Sequence, residues 1–330
     1  GRGFYILDDL TALQKLTPEV QAADAHLFPL MPAYRWISIP GNYSMNDDQT
    51  AGQNPPTGAS INYWMTAAGV ATIEILDSTR KVVRTMNDTA QAGLNRTYWN
   101  LQNGAPGAAV MRTKPMFNEE LEMNADGTRP AGFGSITVLM PPGKYTVRLT
   151  VGGNSLTQPL EVRRDPSSRA TVVEIAARTS AALALQRDHA AATEMLNTIE
   201  NVRAQVQAMR AQLANDASMT DVRSAGDALE QKFIEVESRL VDLRLTGRGQ
   251  DGVRWPVRLG GQLGYLASTL DSDFGPTAQQ REVGVVLAKE TRDTHALLSA
   301  LLAKDLANHN SMLRGRGLKT IDVSLAAIVF

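Results

Sequence analysis

The chain has 330 residues and 35.7 kDa, 43% of them hydrophobic and 20% charged, a globular composition with room for two or three domains and unlike a disordered tail. Thirty-three Lys and Arg face 34 Asp and Glu, so no net charge draws the whole molecule to nucleic acid or to an anionic membrane. Zero cysteines exclude disulfides, thiolate catalysis and Cys-based metal centres without fixing a compartment, and no apolar run reaches the roughly 18 residues that a membrane helix needs.

The sequence opens on Gly1 with no charged-then-apolar leader, which reads as a processing product or a fragment edge with something missing upstream. Residues 1–57 read as an N-terminal strand and a proline-rich, ordered linker. It carries Pro29, Pro32, Pro40, Pro55 and Pro56, with Phe28, Tyr34 and Trp36 holding an extended segment on a neighbouring surface. Residues 58–164 carry strand patterns of period two. Ile73 and Ile75 lead through a turn at Asp77–Arg80 to Val82, Val83 and Met86. Tyr145, Val147, Leu149 and Val151 share one face, and Gly152-Gly153-Asn154 turn the chain into Leu156, Leu160 and Val162. About seven short strands in such a span predict an immunoglobulin- or fibronectin-like sandwich.

Thirteen of the fifteen prolines fall at or before Pro166, so a domain boundary is placed near Asp165, with Asp165-Pro166 as helix N-cap and first helical residue. Residues 165–314 then follow a period of about three and a half. Met195, Ile199, Val202, Val206, Met209 and Leu213 form one seam, reaching back through Ala192 towards Leu185. Val222, Leu229, Phe233, Val236, Leu240 and Leu243 form a second, and the short break at Asn215-Asp216 predicts an antiparallel hairpin. Leu259, Leu263, Leu266 and Leu270 mark a third helix. A fourth starts at Thr277, with Gln280 completing a capping box, and continues to about Leu313. Residues 315–330 are a tail, of which Ile321 to Phe330 read as a strand or docking segment.

Candidate chemistry is sparse. Gly247-Arg248-Gly249-Gln250-Asp251-Gly252 has the letters of a dinucleotide fingerprint, but a helix precedes it and Trp255-Pro256 follow it, so it reads as an interhelical loop. His26, His189, His295 and His309 show no ligand spacing. Asp188-His189 could meet Asp293 and His295 across helices, yet their place in the seam favours a polar register position. Glu119, Glu120 and Glu122, Asp47-Asp48 and Asp8-Asp9 are the acids available for a hydrolytic pair and read as solvated loop residues. Asn124 to Thr128 resemble a calcium loop, but Ser135 stands where its twelfth-position acid belongs, so they read as a turn. Arg163, Arg164, Arg203 and Arg210 read as junction and solvated-face charges, and Trp36, Trp64 and Trp99 more as core than as a sugar-stacking platform.

Gly1 to Leu10, Leu27-Phe28-Pro29, Tyr34-Arg35-Trp36, Gly52 to Pro56, Ile73 to Asp77, Val82-Val83-Arg84, Ala92 to Asn95 with Trp99-Asn100-Leu101, Pro142 to Leu149 and Pro276 to Val283 are together similar to a known pattern. They resemble the region after the β-propeller in bacterial sortilin-like, BNR-repeat proteins that are often labelled glycosyl hydrolases. The resemblance spans essentially the whole chain and is most specific up to Arg164. It implies that residues 1–57 are the propeller-exit strand and linker, that the protein is exported to the periplasm, cell surface or medium, and that any propeller-borne ligand channel or hydrolase site lies outside these residues. It also leaves the strand at residues 3 to 8 unpaired, so that Phe4 and Ile6 pack on a partner chain or a rearranged surface.

The expected fold is α+β multidomain, an immunoglobulin- or fibronectin-like β-sandwich followed by an antiparallel four-helix bundle. The expected function is a non-catalytic scaffold or interaction region of an exported sortilin-like propeller protein, mediating protein–protein association or assembly, with no cofactor, no metal, no nucleic acid and no membrane span. The expected partner is another protein, with the upstream propeller as one candidate, or a second copy docked through an apolar stripe that includes Leu183 and Leu196. Phe4, Ile6, Trp36, Leu183 and Leu196 are the candidate interaction residues. The alternative is a carbohydrate-active or sugar-binding protein with its main site in the missing propeller.

Overall fold

The computed structural model describes residues 9–37, 56–116, 118, 120–246 and 250–323. Its contacts divide into two compact units, one of Gly1–Gly104, Thr137–Thr179 and Asp271–Gly275, the other of Ala105–Ile136, Ser180–Leu270 and Pro276–Phe330.

The first unit begins with two short helices, α1 (Thr11–Gln14) and α2 (Pro18–Ala22), the latter capped by Thr17 with Pro18 behind it. Its strands are β1 (Ala25–Leu27), β2 (Ala33–Arg35), β3 (Ala59–Met65), β4 (Gly69–Leu76), β5 (Val82–Ala90) and β6 (Gly93–Trp99), and after a long excursion β9 (Gly143–Val151) and β10 (Asn154–Arg164). Among the described residues the excursion holds the two-residue strands β7 (Val110–Met111) and β8 (Arg129–Pro130), which belong to the second unit. One sheet has the order β1-β3-β6, the other β2-β10-β9-β4-β5. Period-two alternation lets both line one core, with Ile61, Tyr63 and Trp99 from the first and Ile73, Ile75, Val147, Leu149, Leu160 and Val162 from the second.

Local turn chemistry sets the hairpin registers. Asp77 Oδ1 accepts from Thr79 N, Thr79 Oγ1 and Lys81 N at 2.8, 2.6 and 3.1 Å, closing the turn that pairs Ile73 with Met86 and Ile75 with Arg84. Gly152 and Gly153, at φ of 56° and 87°, make the turn that sets Val151 opposite Asn154.

The second unit is mainly helical. It holds most of α3 (Val172–Gln212), α4 (Thr220–Leu240), α5 (Asp251–Arg254), α6 (Leu259–Ser268), α7 (Ala278–Leu301) and α8 (Ala307–Gly315), the last two joined through a π-helical turn at Leu302–Leu306. Arg210 meets Asp227 at 2.9 Å and Arg203 meets Glu237 at 2.7 Å, so α3 and α4 run antiparallel. Asp216 caps the intervening turn by accepting from Ser218 N at 2.9 Å. Met195, Ile199, Val202, Val206, Val222, Leu229, Phe233 and Leu240 fill the buried interior. Asn310 accepts from Ile321 N and donates to Ile321 O at 2.8 and 3.0 Å, which docks the start of the tail, while residues 324–330 lie outside the described set.

This architecture corrects the expected fold. The chain is α+β with a mixed, curled sheet and one 41-residue helix, not an immunoglobulin-like sandwich followed by a helical bundle. Three features account for the difference. Strand β2, read as linker, is an edge strand that pairs in parallel with β10, and period-two alternation is blind to strand direction. The run 105–136, read as part of the sandwich, joins the helical unit instead. Helix α3 starts at Val172 and not at Asp165. Thr171 Oγ1 accepts from Glu174 N at 3.2 Å while Glu174 Oε2 accepts from Thr171 N at 2.7 Å, and Asp165 spends its carboxylate on Ser167 N.

The capping box at α7 is present: Gln280 N donates to Thr277 Oγ1 at 3.1 Å and Thr277 N donates to Gln280 Oε1 at 2.9 Å. Thr277→Ala is expected to lower stability by about 1 kcal/mol, the usual worth of an N-cap hydroxyl, read as a shift of the urea midpoint at unchanged slope.

Candidate binding cleft

Strand alternation sends Tyr34 and Trp36 to one face of β2 and its continuation, and Arg35 to the other. Arg35 is fully buried, donates from Nε to Met140 O at 2.9 Å and forms an ion pair with Asp273. This fixes the strand from inside. Tyr34 and Trp36 stay 39% and 46% exposed, their ring centroids 5.7 Å apart and tilted by 31°. Beside Tyr34 in register lies Arg163, whose cation is favoured by Glu161 and then by the Tyr34 hydroxyl.

The two rings border a cleft of about 330 Å³. Thr57, Gly58 and the turn Asn100-Leu101-Gln102 form one wall; Thr137, Leu139, Arg178 and Asp271 form the rest. The turn is rigid. Trp99 Nε1 donates to Gln102 O at 2.7 Å, Asn100 Nδ2 and Thr137 Oγ1 donate to Gln102 Oε1 at 3.2 and 3.0 Å, and Leu101 is held at φ 61°, a left-handed conformation costly for leucine. Gly58, at φ +118°, sits where a Cβ would come within 2.0 Å of Trp99 O, so only glycine lets the chain pass the wall. Burial, reinforced by Arg35, weakens the Arg178 cation, and Asp273 and Asp271 oppose that shift. The cleft thus offers two aromatic faces, amide and hydroxyl groups, a guanidinium and a carboxylate, enough to orient a ligand.

Of the predicted interaction residues, Trp36 lies in this cleft. Phe4 and Ile6 fall outside the described residues, as do Asp8, Asp47-Asp48, Glu119 and Gly247 to Gly249. Leu196 is fully buried within the second unit and serves this chain's own core, while Leu183 is half-buried. Trp99 is core, and Trp64 keeps its indole N–H buried, so the three tryptophans do not form one platform. His189 is buried with an edge-on contact to Phe133 at 5.3 Å, and burial lowers its pKa against a backbone hydrogen bond to Gly134. Asp188 is raised by burial, with Arg187 and Arg292 opposing, while His295 is exposed. Among the described residues no group of three His, Asp or Glu could hold a metal ion, and no helix is long and apolar enough to cross a membrane. Asp126 caps its own turn on Thr128.

Arg203 overturns its reading as a solvated charge. It is buried among Glu200, Glu230 and Glu237 of α3 and α4, at 2.9, 3.4 and 2.7 Å. Burial works against its cation, and Glu237, Glu200 and Glu230 outweigh that. Sequence reading also missed Asn100, Gln102, Thr137, Arg178 and Asp271 as cleft residues. Only the Asn100 turn carried a local signal, since the rest converge from distant segments. No known protein family, curated protein or solved structure matches this chain.

Proposed function

We propose that the chain is a non-catalytic interaction region of an exported, sortilin-like propeller protein, and that it works by holding a partner in the Tyr34–Trp36 cleft. The observation that carries this is the solvent-facing aromatic pair, anchored from behind by buried Arg35 and set against a wall of fixed polar groups. Large aromatics held exposed beside a pre-formed cleft are the usual anchors of recognition. The export and propeller context come from the sequence resemblance alone.

The lining favours a saccharide as the occupant over a protein segment. A sugar ring presents an apolar C–H face to an aromatic ring and a rim of hydroxyls, and Asn100, Gln102, Thr137 and Asp271 offer both donors and acceptors to such a rim. Association with another protein, including a second copy, is the competing reading. Calorimetric titration of the whole chain with a panel of neutral and acidic oligosaccharides is expected to reveal saturable binding. Trp36→Ala should weaken it by about tenfold or more, the share a single aromatic anchor commonly carries. Absence of saccharide binding together with a Trp36-dependent rise in sedimenting mass above 35.7 kDa supports the protein partner. Absence of both contradicts the cleft as the working surface.

A further inference from the structure

The interior of the second unit holds a charge arrangement that the proposed function does not use. Three glutamates converge on one guanidinium: Glu200 and Glu237 are fully buried, and Glu230 nearly so. Arg203 Nη1 is shared by Glu200 Oε1 at 2.9 Å, Glu237 Oε2 at 2.7 Å and Thr113 Oγ1 at 3.0 Å. Glu230 also accepts from Gln207 at 2.6 Å, on the oxygen that faces Arg203, and from Arg210 at 3.4 Å on the other.

Glu200 is also the anchor of the Val110–Thr113 segment. Its Oε2 accepts from Arg112 N and, at 2.7 Å, from Thr113 N, and its Oε1 accepts from Thr113 Oγ1 at 2.7 Å. Asn197, one turn earlier on α3, adds a bond from Val110 N at 2.8 Å, and Arg129 binds Thr113 O at 2.8 Å. Glu237 Oε1 is left buried with no hydrogen-bond partner, while Glu237 Oε2 and Glu200 Oε1 both sit on the same Arg203 Nη1, at 2.7 and 2.9 Å. Two carboxylates crowded onto one guanidinium nitrogen, short of a donor and out of water, are satisfied by one proton between them.

We propose that a proton shared between Glu200 and Glu237 latches the Val110–Thr113 segment onto α3 and α4, and that its loss at alkaline pH releases the segment. The charged groups facing the pair are Arg203 from α3, Glu230 from α4 with Arg210 behind it, and Arg129 across Thr113. Ionising both glutamates would leave three buried carboxylates on one shared guanidinium. Water can relieve them once Thr113, which is buried and bonded to both Glu200 and Arg203, moves away. The direction agrees with the electrostatics. Burial, and next the Glu200 charge, hold the Glu237 carboxyl well above the usual carboxylate range, with Arg203 opposing. Because the folded value is raised, the latch stabilises most below the ordinary carboxylate range, and its contribution fades as pH climbs towards the folded value.

Hydrogen exchange of the intact chain between mildly acidic and alkaline pH tests this, with rates corrected for intrinsic pH dependence. Peptides covering Arg112 and Thr113 should lose about tenfold or more of their protection in the wild type, since each pH unit changes the ionised-to-neutral ratio of one group tenfold. Peptides from β9 should not change. Glu237→Gln, which keeps the neutral shape and cannot ionise, should hold its protection throughout. A flat wild-type response, or the same loss in Glu237→Gln, overturns the latch. Should that variant fold poorly, the carboxyl carbon of wild-type Glu237 decides by NMR. Titration above neutrality supports the latch, and titration in the ordinary carboxylate range overturns it.

Discussion

Replacing Arg203 with alanine is expected to cost about 3–5 kcal/mol of unfolding free energy, the penalty typical of removing one partner from a buried ion pair. The size follows from what stays behind. Glu200 would keep Thr113 Oγ1 and two backbone amides as donors, Glu230 would keep Gln207 and Arg210, and Glu237 would lose the one cation that it meets among the described residues. The loss should be smaller at pH 5 than at pH 8, because stranded carboxyls take up protons in the folded state and stability then falls as pH rises. Arg203→Lys should recover only part, since an ammonium cannot reproduce the planar fork that bonds Glu200, Glu237 and Glu230 together. Urea unfolding at the two pH values measures both effects. As a control, removing the exposed Lys289–Asp293 pair should leave the midpoint where it was.

Asp273→Ala is the second large effect, again about 3–5 kcal/mol, and it acts in the first unit. Arg35 has no exposed surface, and one of its nitrogens, Nη2, already lacks a partner. Without Asp273 the guanidinium keeps only the Met140 carbonyl among its identified partners. The penalty is therefore that of an uncompensated buried charge, and most of it should be recovered by combining Asp273→Leu with Arg35→Met, which removes the charge with its partner. Chemical denaturation of the single and double variants separates these outcomes. A single variant within about 1 kcal/mol of wild type, the usual range for exposed ion pairs, would show that the pair contributes no more than a surface ion pair.

Features encoded over a few residues were legible in the sequence. The Thr277–Gln280 box, the Asp77 turn and the Gly152-Gly153 turn rest on side chains that act on their own neighbours. What joins distant segments was not. Arg35 and Asp273 are 238 positions apart, and neither carries a mark of its partner. Arg203 looked like a surface charge because the acids that bury it come from another helix. Leu196 looked like a second surface stripe because α3 is enclosed on more than one side, and a helical period does not say whether an apolar stripe meets its own fold or another chain. The excursion over 105–136 misled for a related reason. Its placement depends on Asn197, Glu200 and Gln186 reaching its backbone, not on its own pattern. Trp36 stands out in the sequence as an interaction residue, but the polar groups that line its cleft, on the Asn100 turn and on Arg178, come together only in three dimensions.

The most direct test of the cleft as the binding surface is an amide and indole NMR titration of the isotope-labelled chain with the oligosaccharide that calorimetry ranks first. The Trp36 indole N–H and the amides of Tyr34, Asn100 to Gln102 and Thr137 are expected to shift together along one saturation curve, with the Trp64 and Trp99 indoles unmoved. Saturable shifts that leave Trp36 and the Asn100 turn in place, or no shifts with any saccharide, would contradict a saccharide-binding role for the cleft.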